Sequence, residues 1–434
     1  MPTSLPDPDA PRLRIAWLCY RGNPHSGGQG VYTRYVTREL HAMGHDVTVF
    51  AGQPWPELDE GVKFQPVPSL DLYRHKFPFW IPNKIPRTRI DWLEWGREMT
   101  GQFPEAHTFS YRVARMLKAQ HRNFDVIHDN QCLGTGLLDI MAIPGEAPNP
   151  EHLPFLATIH HPITVDFELE KQHAANKWKS FTLNRWYSFL PKQIEVAQQV
   201  PRVITVSESS KKDIAEQMGV PIERMRVVPV GVDEDRFRPR PEIERIKGRL
   251  LTTASGDVPL KGLVPLLEAV AKARTERDDI HLYVIGKLRS GSKIPGTLDR
   301  LGLRPHVTFV SGVSDERIVE LYAECELAIV PSLYEGFSLP AIEAMASGAP
   351  LLATTGGALP EVVGNEGAAR LVPPNDPGAL STAILELLAD PAARAKLSEL
   401  GRQRVLDRYT WRRTAEGSVE EYRALLADLR KGRP

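Results

Sequence analysis

The chain has 434 residues, 42% hydrophobic and 25% charged, the composition of a soluble globular protein too long for one ordinary core. Its 54 basic residues balance its 54 acidic ones, which excludes a dedicated nucleic-acid binder, because that class needs a basic excess. Three cysteines, Cys19, Cys132 and Cys325, lie far apart at no metal-ligand spacing and read as reduced thiols of a cytoplasmic protein. The first twelve residues are Pro- and Asp-rich without an apolar core, unlike a signal peptide, and no run approaches membrane-span length. Any membrane association would then be peripheral, at the cytosolic face.

In chain order, an apolar run at 13–20 predicts a strand, and helical spacing follows through Val31, Tyr35, Val36, Leu40 and Met43 to a stop at Gly44. Short strands are predicted at 47–50, 126–128, 155–159, 203–206 and 227–230, with helices such as 106–120 and 178–199 between them. After a break at 233–249, marked by Pro239, Pro241 and mixed charges, the alternation resumes. Strands at 250–254, 282–285, 307–310, 327–330, 351–353 and 370–372 alternate with helices at 263–275, 315–322, 339–346 and 377–388, and an amphipathic segment at 411–429 ends the chain. Such alternation predicts an α/β protein of two doubly wound, Rossmann-like domains, whose ligands sit at the carboxyl ends of parallel strands and so face one central cleft. The stretch 70–95 has no clean period; it mixes Tyr73, Phe77, Phe79, Trp80, Trp92 and Trp95 with Arg74, Lys76, Lys84, Arg87 and Arg89. Aromatic faces with basic neighbours suit acceptor sugars or a membrane interface, and an irregular insertion is the alternative.

The richest motif is Pro331-Ser-Leu-Tyr-Glu-Gly-Phe-Ser-Leu-Pro-Ala-Ile-Glu343. A buried strand runs into a turn with Glu335 and Gly336, then a helix whose start Ser338 can cap and which carries Glu343. The free N–H groups of a helix start attract phosphate, whereas two carboxylates beside it suit sugar and ribose hydroxyls. Gly356-Gly357 after the next strand adds a second turn to this cradle. Lys261, at another strand-to-helix junction, can reach a diphosphate and stabilise the charge it gains on leaving. Each has a plain alternative: a solvated lysine, a turn glutamate, or an acid complementing a helix N-terminus. The turn Ser26-Gly27-Gly28-Gln29-Gly30 resembles a dinucleotide fingerprint, but Thr33 replaces its third glycine and no acid ends the second strand, so NAD is disfavoured. A glycine turn that approaches a ligand phosphate or sugar closely is the better reading, with a plain tight turn as the alternative. His128, Asp129, Asn130 and Gln131 end one predicted strand and His160 and His161 another, where an acceptor-binding role is expected and histidines satisfied by backbone are the alternative; no third ligand suggests a metal.

Together these residues resemble glycosyltransferase family 4, the retaining GT-B enzymes, over most of the chain. Glu335-Gly-Phe-Ser-Leu-Pro-Ala-Ile-Glu343 matches that family's E-x7-E element, with support from Gly27-Gly28, His160, Val206-Ser-Glu-Ser209, Gly231-Val-Asp233, Lys261-Gly262, Thr355-Gly-Gly357 and Tyr409-Thr-Trp411. The resemblance implies an acceptor-side domain at 12–235, a nucleotide-sugar domain at 236–410, and a C-terminal helix at 411–434 that returns to the first domain. It implies transfer of a hexose from a UDP- or GDP-sugar to a glycan, lipid-linked or small-molecule acceptor, with no cofactor and no obligatory metal. Glu335 would hold the donor sugar and Glu343 the ribose. Lys261 would hold the diphosphate with the amides near Ser338 and Leu339, beside Gly336 and Phe337. Gly27 and Gly28 would lie against the donor phosphate and His160 by the reacting sugar, while His128, Asn130, Gln131 and His161 would face the acceptor. The family's arginine five residues before the lysine is here Gly256. Arg289 or Lys293 is expected to supply the missing cation. A sugar-nucleotide epimerase of the same fold, or a non-catalytic nucleotide-sugar-binding module, are the competing functions.

Overall fold

The computed structural model describes residues 11–23, 28–72, 86–145, 153–172, 176–254, 258–288 and 291–431. The chain divides into two compact units: residues 1–206, 210–228 and 414–434 form the first, and 207–209 with 229–413 the second. Unit 2 is therefore nearly continuous, while unit 1 is completed only by the chain's last residues.

Unit 1 is built on β1 (Arg14–Cys19), β2 (Asp46–Ala51), β3 (Lys63–Pro66), β4 (Val126–Asn130), β5 (Phe155–Ile159), β6 (Val203–Thr205) and β7 (Met225–Val227). They form a parallel sheet in the order β3-β2-β1-β4-β5-β6-β7. β4 and β5 are buried at every residue, as expected for strands covered on both faces. The covering helices are α1 (Gln29–Ala42), α2 (Arg89–Met99), α3 (Glu105–Gln120), α4 (Gly136–Met141), α5 (Ile163–Gln172), α6 (Lys177–Trp186), α7 (Leu190–Ala197) and α8 (Glu208–Met218). One core packs Leu18, Phe50, Ile127, Phe155 and Val203 of the sheet under Phe109, Val113, Leu117 and Leu137 of α3 and α4.

Unit 2 repeats the plan with β8 (Arg249–Thr253), β9 (His281–Ile285), β10 (Val307–Val310), β11 (Leu327–Val330), β12 (Leu351–Thr354) and β13 (Arg370–Val372), parallel in the order β10-β9-β8-β11-β12-β13. Its helices are α9 (Leu263–Arg274), α10 (Ile294–Arg300), α11 (Asp315–Glu324), α12 (Leu339–Ala346), α13 (Leu359–Val363), α14 (Pro377–Ala389) and α15 (Pro391–Arg408). The last helix, α16 (Trp411–Arg430), passes from unit 2 into unit 1. Arg202 anchors its far end through Glu421 and Asp428, both at 2.5 Å.

Each sheet runs outward from a central strand in both directions, so its order reverses between β1 and β4, and again between β8 and β11. Loops leaving these neighbours diverge to opposite faces and leave a crevice at the strands' carboxyl ends, where doubly wound sheets bind ligands.

Several elements differ from the sequence reading. The edge strand β3 has no apolar run and was not predicted. The expected helix at 178–199 is two helices, because Pro191 starts α7. Part of the irregular stretch at 70–95 is helical: Thr88 and Asp91 form a capping box that starts α2. Residues 73–85 lie outside the described residues. α15, bounded by the Asp390 cap, was also not predicted.

Candidate active site

In unit 2 the crevice between β8 and β11 gathers the strongest sequence motifs. The loop after β8 ends in a 3-10 turn, Pro259–Lys261, and Gly262 follows at φ 65°. A side chain on Gly262 would collide with the carbonyl of Pro331, so the two loops meet backbone to backbone. Leu333 N–H donates to Leu260 O at 2.7 Å across this seam. From the other side, Gly357 lies so close that a Cβ there would strike Glu335 O, and Ala358 N–H donates to that carbonyl at 2.8 Å.

The clamped turn brings Lys261 and Glu335 together across 74 residues of sequence. Lys261 Nζ donates to both carboxylate oxygens, at 2.8 and 3.0 Å, and Ser332 Oγ donates to Glu335 Oε1 at 2.6 Å. The carboxylate is nearly buried whereas a third of the lysine side chain is exposed. The sequence reading gave these residues separate ligand groups; the structure shows them first as partners of each other.

Ser338, at the start of α12, has φ 102° and ψ 82°, a left-handed conformation rare for a residue with a side chain. Its expected cap is not made. Its hydroxyl is buried without a partner among the described residues. No acid occupies the first turn of α12. A helix start without a cap leaves backbone N–H groups that can receive an anion. Phe337 packs edge-on against Tyr409 at 5.7 Å and the Gly336 carbonyl accepts from Ser207 Oγ at 2.5 Å, so these two residues brace the turn. Leu339 is exposed at its edge. Glu343, one turn into α12, accepts from Tyr322 OH at 3.3 Å, and burial raises its carboxyl to about 7.

Gly356 and Gly357 were expected to cradle a ligand. They instead back the Glu335 turn, because both face its carbonyls rather than open space. Ser332 and Tyr322 were missed. Ser332 shares a turn with Glu335 and was findable there, whereas nothing near Tyr322 in sequence points to Glu343. Gly256 and Arg289 lie outside the described residues, and Lys293 is exposed just before α10.

In unit 1 the reversal point lies between β1 and β4. Gly27 is outside the described residues; Gly28 precedes α1 at φ 72° with open space about it. Beyond β4 and β5, Asn130 Oδ1 pairs with His160 Nε2 at 2.8 Å, and Gln131 links His160 N–H (2.7 Å) to the His161 carbonyl (2.8 Å). Burial pushes the His160 imidazole down to about 3. His161 is exposed. The expectation that His128 faces an acceptor does not survive its placement. It is fully buried, with Nδ1 against Tyr422 OH at 2.6 Å and Nε2 against Thr158 Oγ1 at 2.7 Å, so neither nitrogen is left for a ligand. Asn130, also fully buried, has its amide committed inside the protein, and Gln131 serves as a backbone brace. Asp129 accepts from the N–H groups of Cys132 and Leu133 at 3.0 and 3.1 Å and shapes that turn. Among the described residues no group of three or more His, Cys, Asp or Glu is placed to hold a metal ion, and no helix is long and apolar enough to cross a membrane.

Comparison with known proteins covers both units. A profile described as Glycosyltransferase Family 4 matches residues 26–236, and one described as Glycosyl transferases group 1 matches 238–404. An MMP alpha-(1->4)-mannosyltransferase of Mycolicibacterium hassiacum is 46% identical over 418 residues, 96% of this chain and 99% of the relative. A GDP-mannose-dependent alpha-(1-6)-phosphatidylinositol monomannoside mannosyltransferase of Mycolicibacterium smegmatis is 30% identical over 250 residues, 53% of this chain and 62% of that protein. Among solved structures, sucrose-phosphate synthase from Thermosynechococcus elongatus shares the fold, with a TM-score of 0.68 at 23% identity over 96% of this chain and 100% of that one.

Proposed function

The chain belongs to glycosyltransferase family 4, with the GT-B fold, and from that premise we propose that it is a retaining mannosyltransferase using GDP-mannose. The observation that carries this reading is the Lys261–Glu335 pair beside the uncapped, strained start of α12. The choice of mannose and of GDP comes from the two mannosyltransferase relatives. Retention follows from chemistry: GDP-mannose is α-linked, and those relatives are named for α-linkages.

In this reading the diphosphate takes the α12 N-terminus and draws Lys261 off Glu335. The freed carboxylate then accepts hydroxyl protons of the mannose, and Glu343 accepts those of the ribose. As the bond from C1 to the phosphate oxygen breaks, the acceptor oxygen bonds C1 on the same face and passes its proton to that departing oxygen. GDP leaves with the electron pair, and no protein nucleophile is needed. The protein supplies orientation and fixed positive charge where negative charge develops. A metal has no part in these steps, so a chelator leaves turnover unchanged. The acceptor is a mannose-bearing glycan, free or on a carrier, and the cation replacing the family arginine is Arg289 or Lys293.

A thermal-shift panel of GDP-mannose, UDP-glucose and ADP-glucose tests the donor, because a ligand that binds only the folded state raises its apparent stability. GDP-mannose gives the largest shift, and Arg289→Ala together with Lys293→Ala reduces it. The product's C1–H1 coupling reports the anomer: a β-mannoside refutes retention, and a wild type that binds GDP-mannose but never releases GDP refutes the catalytic reading.

A further inference from the structure

The geometry points to Asn130 as a positioning residue. It holds His160 in one neutral tautomer, with the proton on Nε2 and Nδ1 left as a hydrogen-bond acceptor for a hydroxyl of the sugar substrate. That the ligand is a sugar rests on the function proposed above; the tautomer does not.

The orientation of the Asn130 amide is settled by its surroundings. Its NH2 group lies 3.1 Å from Gln29 O and 3.0 Å from Thr33 Oγ1. A backbone carbonyl can only accept, so the reversed amide would set two oxygens against each other. Thr33 Oγ1, which also accepts from Trp17 Nε1 at 3.1 Å, has a second lone pair for this NH2 group. The amide oxygen therefore faces His160 Nε2 at 2.8 Å. An amide oxygen has no proton to give, so Nε2 must carry one.

Two hydrogen bonds fix the backbone that carries the ring, and one aromatic contact bears on the ring itself. His160 N–H is bonded to Gln131 Oε1, Gln131 is tied to the His161 carbonyl, and the Tyr32 ring packs edge-on against the imidazole at 4.6 Å and 84°. The titratable groups facing His160 are His161 beside it, His128 from β4 and Tyr32 from α1, and none of them brings a negative charge at neutral pH. The ring stays neutral, and among the described residues no donor reaches Nδ1. A neutral imidazole protonated at Nε2 presents a lone pair at Nδ1. It accepts from a hydroxyl and rejects an ether or a deoxy position there, since neither has a proton to offer. The same arrangement bars His160 from acting as an acid through Nδ1.

The test is a ¹⁵N imidazole spectrum of the full-length protein, with H160Q used to identify the His160 signals. Wild type shows a protonated Nε2, a bare Nδ1, and no titration between about pH 5.5 and 8. Asn130→Asp keeps an acceptor opposite Nε2 but adds a negative charge, so His160 titrates within that window. With GDP-mannose and water as the probe, kcat/KM of that variant then falls about tenfold per pH unit below the new pKa, while wild type stays flat. Asn130→Ala releases the ring and gives a mixture of tautomers. A wild-type spectrum showing protonated Nδ1 or an imidazolium overturns the proposal, as does an Asn130→Asp protein with the wild-type spectrum. If GDP-mannose proves not to be the donor, the spectra still decide the tautomer, so the two failures are separable.

Discussion

The reversal points of the two sheets have the same topology and opposite chemistry. In unit 2 the neighbouring loops carry opposite charges, Lys261 on Glu335, beside a helix start without a cap. In unit 1 the pair at the carboxyl ends of β4 and β5 is neutral, Asn130 on His160, and the Asn130 amide hydrogens go to Gln29 and Thr33 of α1, the helix that follows β1. A charged pair can be pulled apart by a stronger charge, so the first site is suited to exchanging partners with an anion. A neutral network held on several sides keeps one shape and reads the direction of a hydrogen bond. The same backbone frame thus serves binding by charge in one unit and recognition by geometry in the other.

The comparison breaks first at Glu335. Glu335→Ala removes the carboxylate and leaves Lys261 and Ser332 without their partner; GDP release from GDP-mannose falls by at least about 10³-fold. A loss under tenfold would show that the carboxylate only stores the lysine. Lys261→Ala comes next, with kcat lowered by about 10²-fold, and Lys261→Arg recovers only part, because a planar fork does not replace a point charge. Tyr422→Phe probes the neutral unit. It strips a buried imidazole nitrogen of its partner and lowers unfolding free energy by about 1–3 kcal/mol in a denaturant titration, while donor affinity is unchanged. The smallest effect is the pH response of Glu343, whose carboxyl is raised from 4.5 to about 7 in the fold. A raised carboxyl favours the protonated folded state, so its contribution is fully present below 4.5 and lost as pH rises through 7. Glu343→Gln therefore gains stability relative to wild type on going from acid to pH 8. The ribose needs the ionised form, so wild-type affinity for GDP strengthens over the same rise, and Glu343→Gln shows no such trend in calorimetric titrations.

The alternating apolar runs made the two parallel sheets legible, because strands such as β4, β5 and β11 are buried on both faces and leave uninterrupted signals. Two of the elements missed draw little of their stability from an apolar face. β3 lies at an edge with exposed side chains, and α15 has only Gly401 and Val405 buried among its eighteen residues. In the site, Glu335 and Lys261 were readable from their glycine turns, but their ion pair was not, since nothing local encodes a contact 74 residues away. His128 and Asn130 were read as ligand-facing because strand ends usually are. What decided otherwise was a hydroxyl from Tyr422, 294 residues along, and a carbonyl from α1.

Because unit 1 is closed by residues 414–434, it cannot finish folding when its own strands have been made. His128 enters the nascent sheet with one ring nitrogen unanswered, and its partner emerges only after the whole of unit 2 has been translated. Until then the His128 Nδ1 lacks the Tyr422 hydroxyl that answers it in the finished protein. A chain that stops at residue 413 thus has every residue of its second unit and lacks the last helical segment of its first.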